Sequence, residues 1–215
     1  MPKSETDAKN VELLKLIFQL RAHVDIHRII GLNGDALCAS RMGAAFVGYL
    51  QKSAHEALAI YICKIFEPSG QYELNSIPAI IKSLSAYTLS ERQNRDFADF
   101  GHKYGQHAPP VGVVPYLDET FRLFCNLHAN SLCCLKEFRD TIGAHSDSKA
   151  AINALPSHVE FESLFSFAND FYQLITRSIL GSSPATIPQD VGRNFIALMK
   201  TIGIRNPRFD FDADR

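Results

Sequence analysis

An arginine, two aspartates and a histidine fall within nine residues in Arg139-Asp140-Thr141-Ile142-Gly143-Ala144-His145-Ser146-Asp147. A guanidinium stays charged throughout the physiological range and grips phosphate through paired N–H bonds. An imidazole titrates near neutrality and can move protons. Together they meet the minimum for cleaving RNA without a metal. One group orients the phosphate and answers the growing charge, and the other exchanges a proton at the 2′-hydroxyl or the leaving oxygen. Arg139, His145 and Asp140 are therefore candidate catalytic residues, with Ser146 and Asp147 as candidate substrate contacts. A plainer reading stands beside this one. Arg139 would complement a helix dipole, while His145 and Asp147 would cap a turn and the following helix.

Spacing alone does not single this pair out. An arginine precedes a histidine by six or seven residues at Arg21/His27, Arg95/His102 and Arg122/His128 as well. At roughly 100° per residue, the first and third pairs face different sides of their helices, whereas Arg95/His102 returns to nearly one face. Position favours Arg139/His145. It straddles the end of the strongest amphipathic pattern, where Gly143 can turn the chain.

The elements that must carry these groups are read as helices throughout. Leu13, Ile17, Leu20 and Val24 form a stripe at three- and four-residue spacing from about Asp7, and Gly31-Leu32-Asn33-Gly34 is expected to break it. A second helix is expected from Asp35 to Phe66, the most buried element, with Phe46, Tyr49, Leu50, Ile60 and Ile65 inside. Glu67-Pro68-Ser69-Gly70 ends it. Ser76 with Pro78 predicts a short helix through Leu84. Ser90/Gln93 has capping-box spacing for a polar helix through about Phe100. The loop Gly101 to Pro115 holds three prolines, three glycines and two histidines, His102 and His107. From Tyr116 to Arg139 one helix is expected, with Leu117, Phe121, Phe124, Leu135 and Phe138 on one face. Ser157/Glu160 starts another, which buries Leu164, Ala168, Phe171 and Ile175. A linker at 181–188, a short helix at about 189–202 and a polar tail free to fray complete the chain.

With no strand pair and no repeat, the expectation is an all-α fold: an antiparallel up-and-down four-helix bundle over 7–180, with additional short helices. The segment 181–215 supplies the linker, short C-terminal helix and tail.

Composition narrows the classes. A chain of 215 residues with 46% hydrophobic and 21% charged residues has room for a sizeable core. Its net charge of -1 excludes a broadly basic, nucleic-acid-coating protein, though not an enzyme with its positive charge confined to one cleft. Five cysteines and an N-terminus without an apolar run point to reduced thiols and a cytoplasmic protein. No stretch is long and apolar enough for a membrane span. Cys125, His128, Cys133 and Cys134 have no zinc-knuckle spacing, and core cysteines are expected rather than a metal site. His55-Glu56 reads either as a proton relay or, more plainly, as a satisfied interior pair or interface.

The segment Arg139 to His145 resembles the motif of the HEPN family, in which an arginine, usually followed by a polar residue, precedes a histidine by four to six positions. Its continuation through Asp147, with Lys64-Ile65-Phe66-Glu67-Pro68 and Ser76-Ile77-Pro78-Ala79-Ile80-Ile81, resembles the subgroup linked to bacterial abortive-infection phage resistance. The resemblance implies a four-helix bundle, a homodimer with two motif copies facing one cleft, and metal-independent RNase activity of a toxin or defence effector without a cofactor. It also implies RNA as substrate and, for toxin-like members, an antitoxin or regulatory protein as partner. On it, Arg139 and His145 are catalytic and Asp140 supports them. One toxin subgroup has tyrosine two residues after the histidine. Asp147 stands there instead.

Overall fold

The computed structural model describes residues 2–68, 75–144, 155–188 and 190–209. Among the described residues the fold is all-α: eight α-helices, one π-helical turn and no strand. None of these helices is long and apolar enough to cross a membrane.

Helix α1 spans Pro2–Ala39. Its apolar stripe is fully buried from Leu13 to Val24 and continues through Ile29, Ile30 and Leu37. The break expected at Gly31-Leu32-Asn33-Gly34 does not occur. Each glycine inside a helix costs roughly 1 kcal/mol, and tertiary contacts offset that cost. The Asn33 side-chain amide donates to Ile29 O and to Arg208 O, each at 2.8 Å, and its Oδ1 accepts the Arg208 N–H at 2.8 Å. The chain reverses instead after Ser40, whose hydroxyl donates to Leu37 O at 2.6 Å, and at Gly43, whose φ of 73° a side chain would oppose.

Helix α2, Gly43–Phe66, therefore starts later than expected and forms a helical hairpin with α1. Its first turns are not core. Phe46 and Tyr49 are 47% and 65% exposed, and Val47 is the buried side chain of that stretch. The central element is α1, which packs on α2, α3, α7 and α8.

Helix α3 is Ile77–Ser83 and α4 is Glu91–Lys103. Ser76 occupies the N-cap of α3, but its buried hydroxyl makes no capping bond. The Ser90/Gln93 capping box at α4 is complete. Helices α5, Val113–Leu127, and α6, Ala129–Ala144, replace the single helix expected over this region. The chain bends at His128, φ −104° and ψ 20°, where the ring lies against Phe124 and its Nε2 is 2.9 Å from Ser163 Oγ on the next helix. That helix, α7, His158–Leu174, opens on the complete Ser157/Glu160 box and passes directly into the π-helical turn Ile175–Leu180.

Helix α8, Asp190–Thr201, folds back onto α1 and contributes Met199 to a second, smaller core with Ile29, Ile30, Leu37 and Val47. The tail is held as far as Phe209, through the Asn33–Arg208 bonds and the Phe209 ring 5.4 Å from the Arg28 guanidinium. The larger core joins α1 to α7 and the π-helical turn. Among the longer helices, α1–α2, α1–α7 and α2–α6 are in contact.

Candidate functional site

Helix α6 lies along α2, so its last turns meet the end of α2 that Pro68 terminates. There Glu67 leaves the helical conformation, with ψ at 141°. Its Oε2 accepts from Arg139 Nη1 at 2.5 Å. Asp140 Oδ1 accepts from Arg139 Nε at 3.0 Å and from Nη2 at 2.7 Å. The guanidinium therefore commits three of its five N–H groups and keeps one on each terminal nitrogen. Its side chain is 29% exposed, enough for those two to reach a ligand. The hydrogen bond to Glu67, then that to Asp140, holds Arg139 even more firmly protonated than usual. Beneath it the buried Cys63 thiol is pushed up to about 11 by burial, so Cys63 is no nucleophile at neutral pH.

The structure thus brings Arg139 and Asp140 together and adds Glu67, which the sequence reading did not single out as a site residue. Its one advance signal was its position immediately before the proline that ends α2. His145, Ser146 and Asp147 lie outside the described residues. The turn expected at Gly143 is not there, because α6 continues to Ala144.

The competing arginine–histidine pairs sit in other surroundings. Arg122 is bound by Glu119 on its own helix, and His102 lies 5.1 Å from His107 beside an exposed loop. His55 and Glu56 do not pair: Glu56 faces Lys52 at 3.7 Å, while His55 is buried against His27.

Arg21 and His27 belong to a buried polar cluster between α1, α2 and α7. Arg21 binds Asp25 on the next turn of α1, and reaches Glu162 of α7 at 3.0 and 3.2 Å. Arg28 and His158 approach the same carboxylate at 3.6 and 3.7 Å. The His27 ring sits 4.9 Å from that of His55 and 6.4 Å from that of His158, with Phe161 edge-on. Burial, then the two neighbouring imidazoles, lowers His27 to about 4, and burial lowers His55 and His158.

The sign of the pH effect follows. Unfolded, His27 takes its proton near 6.5; folded, only near 4. Between those values the unfolded chain binds more protons, so stability is lost as pH falls through that window. Urea midpoints should decline from neutral pH towards pH about 5, and decline less in His27→Phe. Parallel profiles for the two proteins would refute a role for His27.

No family model, curated protein or solved structure matches this chain.

Proposed function

We propose that the chain is a metal-independent RNA endonuclease of the toxin or defence type, acting as a homodimer. The observation that carries this reading is the Arg139 guanidinium, fixed in one plane by Glu67 and Asp140 at the end of α6 with two N–H groups uncommitted. A guanidinium whose rotamers are already restricted loses less entropy when it takes a phosphate. In the proposed reaction Arg139 donates to the non-bridging phosphate oxygens as charge builds on them. His145 acts as the acid/base, Asp140 holds the arginine, and Ser146 and Asp147 contact the substrate.

Purified protein and its Arg139→Ala and His145→Ala variants, incubated with total RNA in chelator, test the proposal. Wild type should cleave, and each variant should lose on the order of 100-fold or more in rate. Equal cleavage by all three, or none by wild type, refutes it.

A second reading, a non-catalytic helical interaction or nucleotide-binding module, draws on the same pair. One arginine between two carboxylates carries a net negative charge, and an incoming phosphate must displace or tolerate Glu67. RNA binding without cleavage is the outcome that favours this reading.

A further inference from the structure

Helix α2 carries two stripes of uncharged side chains, and the fold covers one of them. Val47, Ala54, Leu58 and Ile65 form the buried line. Met42, Phe46, Tyr49, Ser53, Ala57 and Ile60 recur at three- and four-residue spacing. At roughly 100° per residue these six fall within an arc of about 80°, roughly 120° round the helix from the buried line. Phe46 and Tyr49 are 47% and 65% exposed, and the other four are half-buried. Apolar residues exposed singly are ordinary. A row of them at the spacing of helix packing is a seam that another helix can fill.

Charge indicates what fills it. From Met42 to Ile60 the formal charges are Lys52 and Glu56, 3.7 Å apart on one flank of the stripe. A partner must be apolar along the seam and bring an acid–base pair beside it, which is a description of this same face. A two-fold axis at Ser53 lays α2 antiparallel on its copy. Tyr49 then falls opposite the partner's Ala57 and Phe46 opposite the partner's Ile60, while Ser53 meets its own copy. The rotation keeps both charged flanks on one side, and Lys52 comes within about 3 Å, along the helix axis, of the partner's Glu56. A parallel pair would separate those flanks.

The area sets the strength. A whole aromatic side chain buries about 150–250 Å², so covering the exposed parts of Phe46 and Tyr49 removes about 200 Å² per copy from water. With the half-buried positions, about five turns of seam remain below the ~800 Å² per partner of a standard complex, in the range of weak, reversible ones.

We propose that this face of α2 is the contact between two copies of the chain, paired antiparallel about Ser53. The homodimer of the nuclease reading thereby gains an interface, though the seam is argued from α2 alone and stands without that activity. Glu67 lies fourteen residues from the axis, about 21 Å. The two Arg139–Glu67 sites are then about 40 Å apart and act separately, not across the single cleft that the family resemblance implies.

Sedimentation velocity on the full chain, over a range from about 1 to 500 µM, tests the pairing. Wild type should show a monomer–dimer equilibrium with Kd on the order of 10 µM. Tyr49→Glu puts a charge on the seam and should raise Kd tenfold or more. Tyr49 is exposed, so the variant keeps its fold, which circular dichroism verifies. Orientation is read by cysteine substitution after the exposed Cys38 and Cys133 are replaced by serine. Under mild oxidation Ser53→Cys should form a disulfide-linked dimer. Ala57→Cys should not, because its two copies lie about 12 Å apart. Wild type that stays monomeric throughout overturns the proposal. So does Tyr49→Glu that dimerises as wild type does, or Ala57→Cys that cross-links as readily as Ser53→Cys. Monomeric wild type that cleaves RNA sinks this inference alone, and a seam dimer that does not cleave sinks the nuclease reading alone.

Discussion

Replacing Arg21 by methionine is expected to cost about 3–5 kcal/mol of folding stability, as the loss of one partner from a buried ion pair does. The Arg21 side chain is 8% exposed and that of Asp25 is 0%. Asp25 Oδ1 takes its hydrogen bond from Arg21, and Oδ2 has no partner even in the intact protein. It is boxed in by α8, where a Cβ built on Gly192 would come within 3.2 Å of Oδ2. Without the guanidinium, this carboxylate is left charged, dry and unbonded. Glu162 suffers less, being 27% exposed and still within reach of Arg28 and His158. The cost therefore resides on Asp25, and Arg21→Met with Asp25→Leu should recover most of it. Urea unfolding of wild type, both single variants and the double variant yields the coupling directly. A loss below about 1 kcal/mol in Arg21→Met, the range of exposed pairs, would refute the assignment.

That cluster also marks the limit of what local sequence patterns encode. The helical stripes of α1 and α7 and the two capping boxes are local patterns, complete within a few residues, and each reappears in the structure at its predicted place. The Arg21–Glu162 bonds join residues 141 apart. Nothing in either local window distinguishes them from solvated charges. The same holds for Asn33 and Arg208, 175 apart, whose bonds accompany a helix through two glycines that would otherwise end it. Phe46 and Tyr49 mislead in the opposite direction. Their spacing suits a core, but on those turns of α2 Val47 takes the buried position, packed with Ile29, Ile30, Leu37 and Met199, and Phe46 and Tyr49 are left to solvent. At the site, Arg139 and Asp140 were legible by type. Glu67 was not, because its role depends on the end of α2 meeting the end of α6, a packing contact that no motif encodes.

Phe167→Ala is expected to cost about 3–5 kcal/mol, the upper range for emptying a core aromatic site. Phe167 is fully buried on α7. Its ring stacks on Phe124 at 4.0 Å and meets Tyr104 edge-on at 4.6 Å, with Phe100, Phe66 and Phe121 between 5.5 and 6.1 Å. These neighbours come from α2, α4 and α5 and from the residue that ends α4, so no single shift collapses the void. Tyr104 is further anchored through its hydroxyl to Asp170 at 2.7 Å. Each ring contact adds to the transfer and cavity terms. Phe121, at the half-buried edge of the same cluster, can let neighbours and water fill its place, so Phe121→Ala should cost clearly less. Phe66 directly precedes Glu67, so the cluster also sets where the end of α2 presents its carboxylate to Arg139. Amide exchange in the last turns of α6 should therefore accelerate in Phe167→Ala beyond the increase expected from global destabilisation. Equal losses for the two alanine variants in urea melts would show that the cluster yields freely and does not position that end of α2.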